Sequence, residues 1–298
     1  MLTHHFPVER NPSRVVILGS AGFIGGEILH NLQECKINCL GISRTQLNLS
    51  EVDASKKLEK ILSPDDVLVF VSAKVPCKNL EMLLENIQVA QSVIKAIRAK
   101  PVAHIVYISS DAVYKDSDKP LSEDSCAQPD SFHGIMHLAR EVSLKKVYEG
   151  ALAIVRPTLI YGKRDPHNGY GPNQFHRLIA NNQKIILFGK GEELRDHVDV
   201  RDVAELVRRI ILFRSTGIAN AVSGEITSFK ELAQFTARAF AKPDSMINET
   251  IRSNSMPHNG YRAFDNKFIQ KAFPDFKFTP WKDGLKNLFF EMYPEIKL

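Results

Sequence analysis

Cysteine is scarce in this 298-residue chain: Cys35, Cys39, Cys77 and Cys126 are the four, and no two form a C-x-x-C pair. Neither a zinc site nor a disulfide framework is expected, and reduced thiols in a cytoplasmic setting are the natural reading. Long apolar runs are missing too. The longest, such as Val67-Leu68-Val69-Phe70-Val71, are strand-length, well short of the ~20 residues of a membrane span, so no membrane partner is expected. Residues 1–14 are polar, contain two prolines and offer no signal-peptide core. Clustered basic charge is also lacking. No Lys/Arg run exceeds two residues, and 39 Lys+Arg against 34 Asp+Glu leave a net charge of +5. A nucleic-acid partner would call for a basic stripe; a small anionic ligand suits this balance.

What is present is ordinary globular material, 44% hydrophobic and 24% charged. Short β-branched runs (Val15–Leu18, Cys39–Ile42, Val67–Val71, His104–Ser109, Leu152–Val155) alternate with helical patterns. In 79–98 the residues Leu80, Leu83, Leu84, Ile87, Ala90, Val93, Ile94 and Ile97 recur at helical spacing, with Asn79 as the predicted N-cap. The alternation predicts an α/β fold: a doubly wound parallel sheet with both faces covered, because the strands are apolar throughout rather than at every second residue. After Gly162 the texture changes. Residues 163–173 read as a loop, and predicted helices follow at 174–181, 199–213, 228–240, 265–272 and 281–293, with a strand at 184–188. The expected division is a dinucleotide-binding domain over 13–162, to which 201–222 returns, and a smaller α/β lobe from 163–200 and 223–298.

The first run leads into Gly19-Ser20-Ala21-Gly22-Phe23-Ile24-Gly25, which is G-x-x-G-x-x-G, and then into a helix. Glycines allow the tight turn and let the backbone approach a pyrophosphate, while the helix N-terminus offers free N–H groups to the phosphates. A strand before and a helix after are the context that such a loop requires. Gly19, Ala21, Gly22, Phe23, Ile24 and Gly25 are therefore candidate cofactor contacts. At the end of the second run, where an acidic residue would bind the ribose 2′-hydroxyl of NAD, stand Ser43 and Arg44. A guanidinium beside a hydroxyl suits a 2′-phosphate, so NADP is favoured, with NAD as the alternative.

These segments, taken in order, resemble the extended short-chain dehydrogenase/reductases, the NAD-dependent epimerase/dehydratase family, over nearly the whole chain. Gly19–Gly25 matches the glycine motif. Asp66–Ala73 resembles the fourth-strand segment whose end, Ser72 and Ala73, lies beside the cofactor. Asn86 falls where the family has a sheet-stabilising Asn. Ser109–Tyr114 resembles the strand carrying the catalytic hydroxyl, here Ser110. Arg156–Gly162 is similar to the R-P-x-x-x-Y-G segment, with Pro157 under the nicotinamide. Gly189-Lys190-Gly191 and Arg195–Val203 resemble a G-x-G…R-D stretch whose arginine contacts a nucleotide diphosphate. The resemblance implies a nucleotide-sugar substrate, with Asn173 and Arg195 as its candidate contacts, a role in polysaccharide precursor synthesis, and a homodimer built through helices 79–98 and 133–148.

At the reaction centre the pattern breaks. The family's Tyr-x-x-x-Lys aligns with His133 and His137, the register being set by Gly134 and Glu141. An imidazole with a reference pKa near ~6.5 is suited to general acid–base work at neutral pH. Three readings stand. His133 moves the proton with Ser110 while His137 contacts the ribose; or the protein binds cofactor or nucleotide sugar without turning it over; or Asp111 or Tyr170 has taken over the proton transfer. A metal between the two histidines is disfavoured, since Ile135-Met136 supplies no further ligand. Asp111 is followed by Ala112 rather than the glutamate expected of a 4,6-dehydratase.

Overall fold

A computed structural model describes residues 2–295 of the chain. In chain order its strands are β1 (Thr3–His4), β2 (Arg14–Leu18), β3 (Cys39–Ile42), β4 (Asp66–Phe70), β5 (His104–Ile108), β6 (Ala151–Pro157), β7 (Leu159–Tyr161), β8 (Ile185–Phe188), β9 (Leu194–Asp199), β10 (Ser215–Ala221), β11 (Ile226–Ser228), β12 (Ile247–Thr250) and β13 (Tyr261–Arg262). The α-helices are α1 (Phe23–Glu34), α2 (Ala54–Ile61), α3 (Leu80–Ala99), α4 (Phe132–Val147), α5 (Pro172–Ala180), α6 (Val200–Leu212), α7 (Phe229–Ala239), α8 (Lys267–Ala272) and α9 (Trp281–Met292).

Seven strands form the main sheet in the order β1-β10-β6-β5-β4-β2-β3, parallel except for β1. The continuous apolarity of the strands has a direct cause. Val15, Ile17, Val67 and Val69 pack on one face with Ile28 and Leu32 of α1 and Leu206 and Ile210 of α6. Val16, Leu18, Leu68 and Phe70 pack on the other face with Leu58 of α2 and Val93 and Ile97 of α3. Each such side chain, fully buried, contributes about 1.5–3 kcal/mol. Asn79 caps α3, accepting from Met82 N–H at 2.9 Å, and Asp199 caps α6 from Arg201 N–H at 2.9 Å.

A second core, with Tyr161, Phe175, Phe229, Trp281, Leu285 and Phe289, holds α5, α7 and α9 together. It carries two small sheets, one of β11, β9, β13 and β7 and one of β12 and β8. In the main sheet β2 has β3 on one side and β4 on the other, so the chain reverses direction across it. Such a switch point leaves a crevice beyond the strands' carboxyl ends, where ligands bind in open α/β sheets.

Candidate active site

The crevice is a cavity of ≈ 860 Å³. Gly19, Ala21, Gly22, Phe23 and Ile24 form its wall where β2 runs into α1. Gly19 has φ +94°, and a Cβ there would lie 3.0 Å from Ser72 N; at Gly25 a Cβ would meet Gly19 O at 2.2 Å. Gly25 thus lets α1 seat against the loop rather than lining the cavity itself. The N-cap of α1 is Gly22, with no side-chain cap and no acidic residue in the first turn. The first-turn N–H groups therefore remain available to an anion.

Arg44 lies at one end of the cavity, 71% exposed, with Nη2 3.5 Å from Glu85 Oε1. Lys74 Nζ reaches the other oxygen of Glu85 at 2.6 Å. Ser43 does not line the cavity. Its hydroxyl lies 2.8 Å from both Thr45 Oγ1 and Gln46 Oε1, closing the turn that carries Arg44. Leu47, Asn48, Leu49 and Ser50 complete this end together with Val89 of α3, and the first four were not foreseen, because 45–50 shows no periodicity and forms no strand. Asn86 ties down the neighbouring loop, accepting from Lys74 N–H and donating to Lys74 O, both at 2.9 Å.

At the other end Ser72, Ala73, Ser110, Asp111, His133, His137, Pro157 and Arg195 converge. Ser110 caps a short 3-10 turn, its Oγ accepting from Ala112 N–H at 3.1 Å. Asp111 is neutralised by Arg262, whose Nε donates to Oδ2 at 2.9 Å and whose Nη2 also donates to the Asp111 carbonyl. Arg262 Nη1 binds Asp116 at 2.8 Å, and His258 meets the same Asp116 oxygen at 2.5 Å. His258 lines the cavity, and residues 165–167 do so from the loop after β7; sequence patterning singled out none of them.

Ser131 caps α4, accepting from Gly134 N–H at 3.2 Å, so His133 and His137 sit one turn apart at the start of that helix. His133 is half-buried, and its Nδ1 accepts from the Cys77 backbone N–H at 3.4 Å. In the neutral ring the proton is then on Nε2, the nitrogen left for a ligand. Burial lowers the His133 pKa; Asp111 opposes this and Arg140 adds to it. Its titration therefore lies below the near-neutral value read from the residue type. His137 is almost wholly buried, with Nδ1 2.8 Å from the Tyr107 hydroxyl. Burial, then His133, then Arg140 hold its pKa well below the usual imidazole value.

Three residues singled out in the sequence stand elsewhere. The Asn173 side chain accepts from Gly162 N–H at 3.1 Å and donates to Ile160 O at 3.0 Å, which shapes the loop after β7 and does not line the cavity. Tyr170 packs against Phe175, Phe188 and Phe229, and its hydroxyl accepts from Phe188 N–H at 3.2 Å, outside the cavity. Arg156 is engaged with Glu141 beneath the sheet. Arg195 does reach the cavity, with Nη1 on Glu193 Oε1 at 2.9 Å and Nε buried without a partner. Among the described residues no helix is long and apolar enough to cross a membrane.

A doubly wound sheet, a glycine loop at its switch point and a second lobe closing the far end define a Rossmann-type dinucleotide-binding architecture. The chain belongs to the NAD dependent epimerase/dehydratase family, whose model matches residues 15–222. The UDP-glucose 4-epimerase of Mycolicibacterium smegmatis is 27% identical over 267 residues, which cover 78% of this chain and 84% of that protein. Two solved structures share the fold at TM-score 0.81. One is the UDP-glucose 4-epimerase of Thermus thermophilus in complex with NAD, 19% identical, covering 95% of this chain and 99% of that one. The other is a GDP-L-fucose synthetase from Naegleria fowleri bound to NADP, 16% identical, covering 100% of both.

Proposed function

We propose that the protein is a nicotinamide-dependent oxidoreductase or epimerase acting on a nucleotide sugar, with His133 in the place that the family gives to tyrosine. The observation that carries this reading is the convergence of the glycine loop, Ser110 and His133 on one cavity. Relatives and structural neighbours of this chain are named for UDP-glucose and GDP-fucose chemistry, and the two solved neighbours above hold NAD or NADP. The uncapped first turn of α1 would take the cofactor diphosphate, Arg44 a 2′-phosphate, and Ser72, Ala73 and Pro157 would flank the nicotinamide end. Arg195 would bind the diphosphate of the sugar nucleotide, which gives its unpartnered Nε an acceptor.

When bound, the cofactor supplies or takes a hydride at a sugar carbon. Ser110 Oγ and His133 Nε2 are the groups that would hydrogen-bond the oxygen on that carbon, whose negative charge rises as hydride arrives. His133 acts there through its neutral ring N–H, which donates a hydrogen bond to that oxygen and stabilises the charge it gains. His137, held by Tyr107, orients His133 and closes the floor below the ribose. The pairing of Asp111 to Arg262 favours His133 over Asp111 as the group facing the reacting oxygen.

The test is a titration of NADPH and NADH, followed by a panel of nucleotide sugars read by absorbance at the nicotinamide band. Turnover on one sugar class, reduced about 10²–10⁴-fold in His133→Gln with cofactor binding intact, is the expected result. Tight cofactor binding with no turnover on any sugar, unchanged in His133→Ala, would show a silent binding protein instead.

A further inference from the structure

Four arginines are buried at or near the cavity among the described residues, and three of them have carboxylate partners. Arg156 is paired with Glu141, Arg195 with Glu193, and Arg262 with Asp111 and Asp116. Arg140 on α4 is 1% exposed and binds no carboxylate among the described residues. Its Nε and Nη2 donate to Asn86 O at 3.1 and 2.7 Å, Nη2 also donates to Asn86 Oδ1 at 2.9 Å, and Nη1 donates to Ser72 O at 2.9 Å. The guanidinium lies 5.2 Å from the centre of the Phe70 ring. Arginine stays charged in proteins, so this is a bare cation inside the fold. Burying an ion without a counter-charge is costly, and an apolar side chain of similar length would avoid that cost. A charge kept on those terms acts on its surroundings.

Those surroundings are the reaction centre. His133, His137 and Arg140 stand at i, i+4 and i+7, so one face of α4 carries all three. Ser72, whose carbonyl the guanidinium holds, lines the cavity. The groups facing the two imidazoles are Tyr107 on β5, Cys77 on the loop after β4, and Asp111 beyond His133. Asp111 is the one acidic group among these, and Arg262 already occupies it.

We propose that Arg140 is a positioning residue whose fixed charge keeps both imidazoles of the site uncharged, so that His133 presents a ring N–H, not an imidazolium, to the reacting oxygen. The family's pattern has a permanent ammonium at the place of His137; in this chain the permanent cation stands one turn further along α4, directed inward. A buried cation on the same helix face repels a second proton on either ring, in the same direction as burial and against Asp111. The inference rests on the proposed role of His133, but its test reads charge rather than turnover.

The experiment is an NMR pH titration of the imidazole Cε1–H signals in the full chain, with the two rings assigned from His133→Gln and His137→Gln. In the unaltered protein both midpoints lie below that of a free imidazole. Arg140→Met raises both midpoints by about one pH unit, a roughly tenfold gain in proton affinity. Arg140→Lys, which keeps the charge, leaves them near their original values. Circular dichroism reports whether each variant is folded. Should Arg140→Met unfold, Arg140→Gln, uncharged but still able to donate to the Ser72 or Asn86 carbonyl, serves in its place. Midpoints near 6.5 in the unaltered protein would overturn the proposal, as would midpoints that stay put in a folded, uncharged variant. A failure of His133→Gln to affect turnover would instead strike at the proposed function and leave the charge measurement standing.

Discussion

Arg156 and Glu141 form a buried ion pair, with Nη2 2.5 Å from Oε2 and Nε 2.9 Å from Oε1. The Ser109 hydroxyl donates to Oε1 at 2.6 Å, and the Tyr114 ring lies 4.7 Å from the guanidinium. The pair ties α4, which carries His133 and His137, to the ends of β5 and β6, which carry Ser110 and Pro157. Two family signatures 15 positions apart thus meet as one brace between α4 and the neighbouring strands.

Breaking that brace from one side is expected to be costly, because it leaves an uncompensated buried charge. Glu141→Ala should lose roughly 3–5 kcal/mol of stability in urea unfolding. The double replacement Glu141→Leu with Arg156→Met should lose much less, since no lone charge remains. A single variant no less stable than the double one would show that the pair contributes nothing.

Acid sensitivity should come from imidazoles buried in their neutral form. His104 Nε2 donates to Ser215 O at 2.8 Å inside the sheet, and burial lowers its pKa to about 4. The unfolded chain takes up this proton near 6.5, so between pH 6.5 and 4 the unfolded state binds more protons than the fold. Stability is full above 6.5 and falls as the pH drops through that window, by roughly 3 kcal/mol from this residue. Asp196, with its pKa raised to about 7 chiefly by burial, acts in the opposite sense and lowers stability as pH rises from about 4 to 7. Denaturant midpoints measured from pH 4 to 7 should show a shallower acid slope in His104→Gln; an unchanged slope would assign the acid loss to other groups.

The strands were legible because a continuous apolar run of five residues leaves few other solutions, and the glycine loop because strand and helix flank it. The cap at Asn79 follows from a side chain that accepts from the first turn. The interior of the site was not legible. Nothing in a helical pattern tells that Arg140 faces inward, since a charged residue at one position in seven is ordinarily solvated. Tyr107 reads as one more apolar strand residue until His137 is found on its hydroxyl. Arg262 meets Asp111 across 151 positions, a pairing that only the folded second lobe creates. Asn173 stands near the crevice in sequence logic, yet its amide is used up by the loop it closes.

The outer faces of α3 and α4 are apolar where a monomer would be polar. Leu80, Leu84 and Ile87 form an i, i+4, i+7 stripe on α3, and Phe132, Ile135 and Val142 are exposed on α4. A two-fold pairing of these helices with a second copy is the expected arrangement. Analytical ultracentrifugation should give a dimer, converted to monomer by Leu84→Glu combined with Ile135→Glu. A monomer in the unaltered protein at micromolar concentration would refute the pairing.

Cofactor choice should turn on one carboxylate as much as on Arg44. In the structure Glu85 holds both cations of that end of the cavity, Arg44 at 3.5 Å and Lys74 at 2.6 Å. A 2′-phosphate would compete with Glu85 for the same two groups, while the 2′-hydroxyl of NADH would not. Arg44→Ala should therefore weaken NADPH by about tenfold and leave NADH little changed. Glu85→Gln should tighten NADPH, because the guanidinium and ammonium are released to the phosphate. Binding followed by quenching of protein fluorescence separates the cases. Equal weakening of both cofactors in Arg44→Ala would remove the 2′-phosphate assignment, and looser NADPH binding in Glu85→Gln would mean that the carboxylate orients the two cations rather than competing for them.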